Sequence, residues 1–277
     1  MNLYELLFVS GTARSGTTLL SLVLSAHPEI CICPETNHLI TALHNADATG
    51  KIEKKRLDYL KTVTLNDNKL NNLKIDISEY LKLVNDYKSV TAEKFILDFL
   101  EFYRQQTKPD AKIIGQKKNY IIFYKKIKSF LPQSKLVCIF RDCRDSVPSA
   151  ATKLPGQTLI SASKQWAKRL KLSNEIKMIW PDNYKELFYE KFVSSFQKHC
   201  VEICQFLDVP YDDKMLNHYQ YNTNLEQISK GQEMKHVRTK EPINSIKINK
   251  WKTSMTLKEK TIILSICRNQ MIKNGYL

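Results

Sequence analysis

The chain has 277 residues, of which 43% are hydrophobic and 26% charged, and its formal net charge is +15. This length and composition allow one full hydrophobic core, and no Gly/Pro/Ser-rich linker divides the chain in two. We therefore expect a single domain over residues 1–277, with a helical insertion at about 45–110.

No uncharged apolar run has the length of a membrane span, and the first residues lack the basic and long apolar regions of a signal peptide. The seven cysteines cannot all be paired, and their spacing forms no pattern typical of a zinc site. We expect free thiols in a reducing compartment, no bound metal and a cytoplasmic protein.

The positive charge has three interpretations, which are solvated lysines, steering of an anionic cofactor or acidic acceptor into a cleft, and binding of nucleic acid. The last would be accompanied by a recognisable motif, and the sequence contains no RNP-like aromatic run, zinc finger or basic-region heptad. Nucleic acid is therefore not expected as the main partner.

A short apolar strand, Leu6 to Val9, precedes the segment Gly11-Thr12-Ala13-Arg14-Ser15-Gly16-Thr17-Thr18, and an apolar helix follows it. This is the pattern of a P-loop, in which backbone N–H groups and a helix N-terminus bind phosphate. Thr17, however, stands in the place of the usual Lys, and Arg14 supplies the cation. Because that Lys normally holds a γ-phosphate, we expect a shorter anion that is bound without a metal clamp.

Strands and helices alternate along the rest of the chain. Further strands are predicted at about 29–33, 111–115, 135–140 and 185–189. Helices are predicted from Pro34-Glu35-Thr36 onward and over 91–106, 120–131, 141–153, 161–179, 192–207 and 256–272. This alternation predicts right-handed crossovers and an α/β fold of P-loop type, with a mostly parallel central sheet between two helical layers.

Polar residues follow three of the predicted strands: the loop at 11–18, Gln116-Lys117-Lys118, and Arg141-Asp142. Because the carboxyl ends of parallel strands meet at one edge of a sheet, we expect these residues to lie together. Arg141 and Ser149, with Lys153 one turn further on, are placed to bind a second phosphate where strand turns into helix. Two anion sites at one edge predict a ligand with two phosphate-like ends.

These segments resemble sulfotransferases that use 3′-phosphoadenosine 5′-phosphosulfate (PAPS), and most of all their tyrosylprotein sulfotransferase branch. The resemblance is carried by Gly11 to Leu20, Ala26-His27-Pro28-Glu29 and Pro34-Glu35-Thr36, which keep the order and spacing of that branch without a gap. It implies that the 5′-phosphosulfate is held by Arg14, Ser15, Gly16, Thr17 and Thr18.

The same resemblance assigns further roles. It makes Glu35 the general base that takes the proton of the acceptor hydroxyl, and Lys117 the cation that stabilises charge on the transferring sulfuryl group, with Lys118 as the alternative. The remaining implied roles are 3′-phosphate binding by Arg141, Ser149 and Lys153, cofactor contacts by Tyr189 and Lys250, and transition-state stabilisation by Ser229.

The chain also departs from that branch. Asn37 replaces an Arg, Lys118-Asn119 replaces a residue-Pro pair, and the stretch from about Asn45 to Asp110 has no counterpart in the family. We therefore expect a sulfotransferase that moves the sulfuryl group of PAPS to a hydroxyl on a carbohydrate, small molecule or peptide tyrosine, with anionic acceptors included. The alternatives are a P-loop-type nucleotide kinase and a non-enzymatic basic protein that binds polyanions.

Overall fold

The computed structural model describes residues 5–221, 242–243 and 248–277. Within these ranges the strands are β1 (Glu5–Gly11), β2 (Ile30–Cys33), β3 (Lys51–Ile52), β4 (Val90–Thr91), β5 (Ile113–Lys117), β6 (Lys135–Phe140) and β7 (Tyr184–Phe188). The α-helices are α1 (Thr17–Ala26), α2 (His38–Asn45), α3 (Lys54–Leu65), α4 (Asn68–Asn71), α5 (Ser78–Asp86), α6 (Ala92–Thr107), α7 (Tyr124–Phe130), α8 (Cys143–Lys153), α9 (Leu159–Ile179), α10 (Tyr189–Ser194), α11 (Phe196–Leu207), α12 (His218–Tyr221), α13 (Trp251–Ser254) and α14 (Leu257–Lys273). Short 3₁₀ helices lie at Tyr120–Phe123, Pro181–Asn183 and Asp213–Met215.

The centre of the fold is a five-stranded sheet in the order β2, β5, β1, β6, β7, and every neighbouring pair in it is parallel. Side chains of β1 alternate between its two faces: Leu6 and Phe8 join one hydrophobic cluster, and Leu7 and Val9 join the other. Helices α1, α10 and α11 cover the second face, and helices that include α6, α8, α9 and α14 cover the first. The predicted fold, with a parallel sheet between two helical layers, is confirmed.

The strand order brings the predicted polar segments to one edge of the sheet. β1 lies between β5 and β6, and the pairs Val9 with Lys117 and Gly11 with Ile139 set the register of the three strands. The loop after β1, the end of β5 and Arg141 after β6 therefore emerge side by side. This is the edge at which open parallel sheets bind their ligands.

Two helices differ most from the prediction, and β5 runs to Lys117, so that Gln116 and Lys117 end this strand instead of following it. The helix expected from Pro34-Glu35-Thr36 onward starts only at His38, because the carboxylate of Asp67 accepts hydrogen bonds from the backbone N–H groups of Asn37 and His38. Glu35 thus precedes the helix instead of lying in its first turn. The helix expected over 192–207 is two helices, α10 and α11, which are separated at Ser195.

Residues 45–110, for which the sequence predicts a helical insertion, contain α3 to α6 and a two-stranded antiparallel sheet of β3 and β4. Leu60, Leu70 and Val84 of this segment are completely buried. They belong to the same hydrophobic cluster as Leu6 and Phe8 of the central strand. The segment therefore packs on the first face of the sheet.

The last helix, α14, packs on α8 and α9. Ile263, Cys267 and Met271 along one side of it are fully buried, and the thiol of Cys267 donates a hydrogen bond to the carbonyl oxygen of Ser163 at 3.6 Å. Among residues 5–221, 242–243 and 248–277, no helix combines the length and apolarity needed to cross a bilayer.

Candidate active site

The loop after β1 leads directly into the N-terminus of α1. Gly16, the N-cap residue, has φ 99°, a left-handed conformation that favours glycine, and an added Cβ would lie 2.8 Å from the ring of Tyr189. Because glycine has no side-chain oxygen to cap the helix, the first N–H groups of α1 are presented to an incoming anion. Arg14 also has a positive φ, of 63°, so the loop curls around this position.

Ser15 fastens the loop to the neighbouring strand. Its hydroxyl lies 2.7 Å from the carbonyl oxygens of both Thr12 and Ile139, to which it donates its hydrogen, and the residue is fully buried. The predicted contact of Ser15 with the cofactor can therefore involve its backbone, whereas its side chain holds the loop in shape.

Arg14 contacts Ser149 and lies near Arg141. The Nε of Arg14 donates a hydrogen bond to Oγ of Ser149 at 3.2 Å. Burial, and after it the neighbouring charge of Arg141, lower the pKa of Arg14. The guanidinium of Arg141 lies 4.7 Å from the centre of the Tyr189 ring and 3.2 Å from the carboxylate of Asp145. The two predicted anion sites are thus adjacent, and two partly buried cations there favour an anionic ligand.

Asp145 also connects this region to the C-terminal part of the chain. Its carboxylate accepts hydrogen bonds from the backbone N–H groups of Asn249, at 3.1 Å, and Trp251, at 2.8 Å. The Trp251 ring lies 4.0 Å from the guanidinium carbon of Arg144. The predicted cofactor residue Lys250 is therefore brought beside Asp145, although its side chain is exposed.

Three other predicted residues have less definite positions. Lys153 is exposed at the end of α8, one turn after Ser149. Thr17 and Thr18 are half-buried in the first turn of α1. Ser229 lies outside the described residues.

Glu35 lies among three lysines. One carboxylate oxygen is 3.2 Å from Nζ of Lys117, and the other is 3.1 Å from Nζ of Lys69 and 3.6 Å from Nζ of Lys118. Burial alone raises the pKa of Glu35, but the lysines, Lys117 first, outweigh it and lower the pKa to about 2. The side chain remains 36% exposed, so a reactant can reach it.

The two adjacent lysines have different neighbours. Lys117 also reaches Oγ1 of Thr18 at 3.5 Å, so it joins Glu35 to the phosphate loop. Lys118 donates to the carbonyl oxygen of Thr36 at 2.6 Å and to Oδ1 of Asn37 at 2.5 Å, and burial lowers its pKa to about 8. Lys117 is therefore the lysine that faces the loop, whereas Lys118 supports the segment that carries Glu35.

Asp67 holds this segment from the other side. Its Oδ2 accepts hydrogen bonds from the backbone N–H groups of Asn37, at 2.5 Å, and His38, at 3.1 Å. Its Oδ1 accepts from Nδ2 of Asn37 and from the N–H of Lys69, both at 3.1 Å. One carboxylate from residues 45–110 thus positions both the Glu35 segment and the N-terminus of α4.

Sequence reasoning missed Asp67 and Lys69. Both lie in a stretch rich in Lys, Asn and Asp, where nothing in the spacing separates them from solvated surface residues. Within the described part of the chain, no group of three or more His, Cys, Asp or Glu side chains is arranged to hold a metal ion.

Residues 7–213 match the model of the sulfotransferase family. The chain is 23% identical over 221 residues to protein-tyrosine sulfotransferase A of Caenorhabditis elegans, and 24% identical over 223 residues to protein-tyrosine sulfotransferase of Drosophila melanogaster. These alignments cover 77% and 78% of this chain but 52% and 40% of the relatives. The chain therefore spans about half the length of the curated relatives that it matches.

Two solved structures resemble this protein over nearly the whole chain. The sulfotransferase domain of the Synechococcus PCC 7002 olefin synthase has a TM-score of 0.64 at 17% identity, with 94% of this chain and 93% of that chain covered. The sulfotransferase domain of the curacin biosynthetic pathway has a TM-score of 0.61 at 18% identity, with 96% and 98% covered. At these identities the likeness shows a shared fold.

The prediction of a cytoplasmic location is wrong. It is contradicted by the relatives, because protein-tyrosine sulfotransferases are Golgi membrane enzymes. The prediction depended on the lack of a long apolar run and of a signal peptide. Such a lack does not decide where a protein is located.

Proposed function

This chain belongs to the sulfotransferase family, and we propose that it transfers the sulfuryl group of PAPS to an acceptor hydroxyl, with Glu35 as the general base. The observation that carries the proposal is the position of Lys117. Its ammonium group lies between the carboxylate of Glu35 and the hydroxyl of Thr18. A base, a cation and an anion-binding loop are therefore adjacent, which is the set of groups that sulfuryl transfer requires.

The loop and the two arginines fit the donor. The N-terminus of α1 and Arg14 would hold the 5′-phosphosulfate, and Arg141 with Ser149 would hold the 3′-phosphate. Two observations support this fit. The left-handed Gly16 keeps the loop free of a Cβ that would meet Tyr189, and the charge of the partly buried Arg141 acts on the partly buried Arg14, so an anion bound there would be attracted by both.

Glu35 would take the proton of the acceptor hydroxyl while Lys117 stabilises negative charge on the transferring group. A carboxylate with a pKa of about 2 is fully ionised at neutral pH, but it is a weak base. When Lys117 turns toward the sulfuryl group, Glu35 loses its strongest cationic neighbour, and its pKa rises. Donor binding would in this way raise the basicity of Glu35 only when a sulfuryl group is present for transfer.

Positioning and electrostatics would supply most of the catalysis. Sulfuryl transfer resembles phosphoryl transfer in needing an in-line nucleophile and cations near the departing oxygen. Lys117 and Arg14, together with the N–H groups of α1, provide such charges from the protein itself. The relatives named protein-tyrosine sulfotransferases put a phenolic hydroxyl first among the acceptors, ahead of alcohols on carbohydrates or small molecules.

The donor is tested by the thermal stability of the protein with 3′-phosphoadenosine 5′-phosphate (PAP) and, separately, with ATP and Mg²⁺. We expect PAP to raise the melting temperature. Stabilisation by ATP with Mg²⁺ and none by PAP would favour the P-loop kinase and refute the proposal.

The base is tested by ³⁵S transfer from PAPS to tyrosine peptides and simple phenols. Glu35→Gln should lower kcat by about 10²- to 10⁴-fold, the usual contribution of a general base, and leave the affinity for PAP within about threefold of the wild type. Glu53→Gln, a change at an exposed glutamate, is the matched control. Wild-type kcat in Glu35→Gln would remove Glu35 as the base.

A further inference from the structure

Tyr276 follows helix α14 and packs beside the end of β7. Gly275 has φ 72°, a left-handed conformation typical of the residue that ends a helix, and the N–H of Tyr276 donates to the carbonyl oxygen of Met271 at 2.9 Å. The centre of the Tyr276 ring lies 5.7 Å from that of Phe188, the last residue of β7, and 6.0 Å from that of Trp166 on α9. The turn after α14 therefore brings this tyrosine to the edge of the sheet that bears the proposed site.

The peptide group between Arg141 and Asp142 is held on both sides by side chains. Its carbonyl oxygen, which belongs to Arg141, accepts a hydrogen bond from Nε1 of Trp166 at 2.8 Å. Its N–H, which belongs to Asp142, donates to Oε1 of Glu190 at 3.0 Å. Because a peptide group is planar and its C=O and N–H point in opposite directions, these two hydrogen bonds fix its rotation. The direction in which the chain leaves β6 at Arg141 is fixed with it.

Tyr276 contacts both of the side chains that hold this peptide group. Its ring packs on Trp166, and its hydroxyl donates to Oε2 of Glu190 at 3.5 Å. Burial, and after it the charge of Glu190, raise the pKa of Tyr276, so the hydroxyl stays protonated and able to donate at neutral pH. A third contact leads to the same place, because Nη2 of Arg144 donates to the carbonyl oxygen of Tyr276 at 3.0 Å and to Oδ2 of Asp142 at 2.6 Å.

The side chain of Arg141 has little room to adjust if its backbone turns. It is 11% exposed, and its guanidinium lies between the carboxylate of Asp145, at 3.2 Å, and the ring of Tyr189, at 4.7 Å. A hydrogen bond weakens steeply as its angle departs from linear. A rotation of the peptide group after Arg141 would therefore weaken the hydrogen bonds that this residue makes with a phosphate.

We propose that Tyr276 is a positioning residue for Arg141. Through Trp166 and Glu190, it holds the peptide group after Arg141 in the orientation that directs the guanidinium at the 3′-phosphate of the sulfuryl donor. This proposal rests on the proposed function, which assigns the 3′-phosphate to Arg141. Tyr276 then acts on the nucleotide through Arg141 and determines how strongly the protein prefers a nucleotide that carries a 3′-phosphate.

The test compares the binding of PAP with that of adenosine 5′-monophosphate (AMP), which lacks the 3′-phosphate, by calorimetry. For Tyr276→Leu we expect the affinity for PAP to fall about 5- to 20-fold, which is part of the roughly 10- to 100-fold that a hydrogen bond to a charged group contributes. The affinity for AMP should change less than about threefold. Tyr59→Leu, the same change at an exposed tyrosine on α3, is the matched control.

Tyr276→Phe keeps the ring and loses the contact with Glu190. It should weaken the binding of PAP about two- to fivefold, again without a change for AMP, and it provides the comparison if Tyr276→Leu does not fold. A wild-type preference for PAP in every folded variant would overturn the proposal. A fall in affinity by the same factor for PAP and AMP would also overturn it, because a general loosening of the fold has that effect.

A double-mutant cycle tests whether Tyr276 acts through Arg141. In an Arg141→Gln background, Tyr276→Leu should change the affinity for PAP less than about threefold, because the guanidinium that it positions is absent. An equal fall with and without Arg141 would show that Tyr276 acts by another route and would refute the proposal.

The same measurements separate this proposal from the proposed function. A wild type that binds PAP more tightly than AMP, with the same preference in Tyr276→Leu, would refute the role of Tyr276 and leave the donor site in place. A wild type that binds PAP no more tightly than AMP would refute the 3′-phosphate site and, with it, the role of Tyr276.

Discussion

Replacing Asp67 by Asn is expected to destabilise the protein through the segment that carries Glu35. The Asp67 side chain is buried, and each of its oxygens accepts at least two hydrogen bonds, from Asn37 and His38 at Oδ2 and from Asn37 and Lys69 at Oδ1. Asparagine keeps the size of the side chain but turns one of these oxygens into an NH₂ donor. In either orientation of the new amide, its NH₂ group replaces an oxygen that accepted two hydrogen bonds. Those two hydrogen bonds are lost, and the NH₂ group then faces two N–H donors.

A hydrogen bond to a charged group contributes about 1.5–3 kcal/mol. Because the two lost bonds share one side chain and are not additive, we expect Asp67→Asn to lower the free energy of unfolding by about 3–5 kcal/mol. For a chain of this size the melting temperature should then fall by about 6–10 °C.

The loss should depend on pH with a definite sign. Burial alone raises the pKa of Asp67, but the hydrogen bonds from the side chain of His38 and the N–H of Asn37 lower it below its usual range. A carboxylate whose pKa is lower in the folded state stabilises the protein above its unfolded pKa of about 3.9 and loses that effect as the pH falls further. The difference between wild type and Asp67→Asn should therefore be constant at neutral pH and shrink below about pH 4.

Urea unfolding at pH 7 and at pH 3.5 measures both effects. Asp76→Asn is the matched control, because Asp76 is exposed and its carboxylate accepts a hydrogen bond from the backbone N–H of Ser78 at 2.9 Å. Its substitution should cost less than about 1 kcal/mol. If Asp67→Asn were no more damaging than Asp76→Asn, the reasoning that Asp67 organises the Glu35 segment would be refuted.

Two further substitutions test the site. Lys69→Ala removes one cation from Glu35 and should raise the pKa of this carboxyl above about 2, so that the acid limb of the kcat/KM profile moves to higher pH. An unchanged acid limb would show that Lys69 does not act on the base. Gly16→Ala forces a left-handed residue and a Cβ toward the ring of Tyr189, and it should cost about 1–3 kcal/mol in urea unfolding and reduce the stabilisation by PAP. Stabilisation by PAP at the wild-type level would count against the loop as the phosphate site.

The parts of the fold that local pattern determines could be predicted. The boundaries of β6 were predicted to the residue, since a buried apolar run at 135–140 ends at a charged pair. The loop at 11–18 was recognisable because a strand, a glycine turn and an apolar helix each leave a local signature. Parallel pairing of the strands then followed from the alternation of elements.

The surroundings of Glu35 could not be predicted in this way. Asp67 and Lys69 reach Glu35 through chain folding over residues 45–110, and neither periodicity nor spacing encodes such a contact. The proline at position 34 suggested a helix start that the carboxylate of Asp67 moves to His38.

The packing of α14 has a consequence for how fragments of this protein are chosen. The family match ends at residue 213, yet the buried side of α14 lies beyond it, and Nη2 of Arg144 donates to the carbonyl oxygen of Tyr276 at 3.0 Å. A recombinant fragment that ends at residue 213 would lack α14 and expose the apolar surfaces of α8 and α9. Helix α8 also bears Ser149. The unit that has to be expressed is therefore longer than the unit that homology recognises.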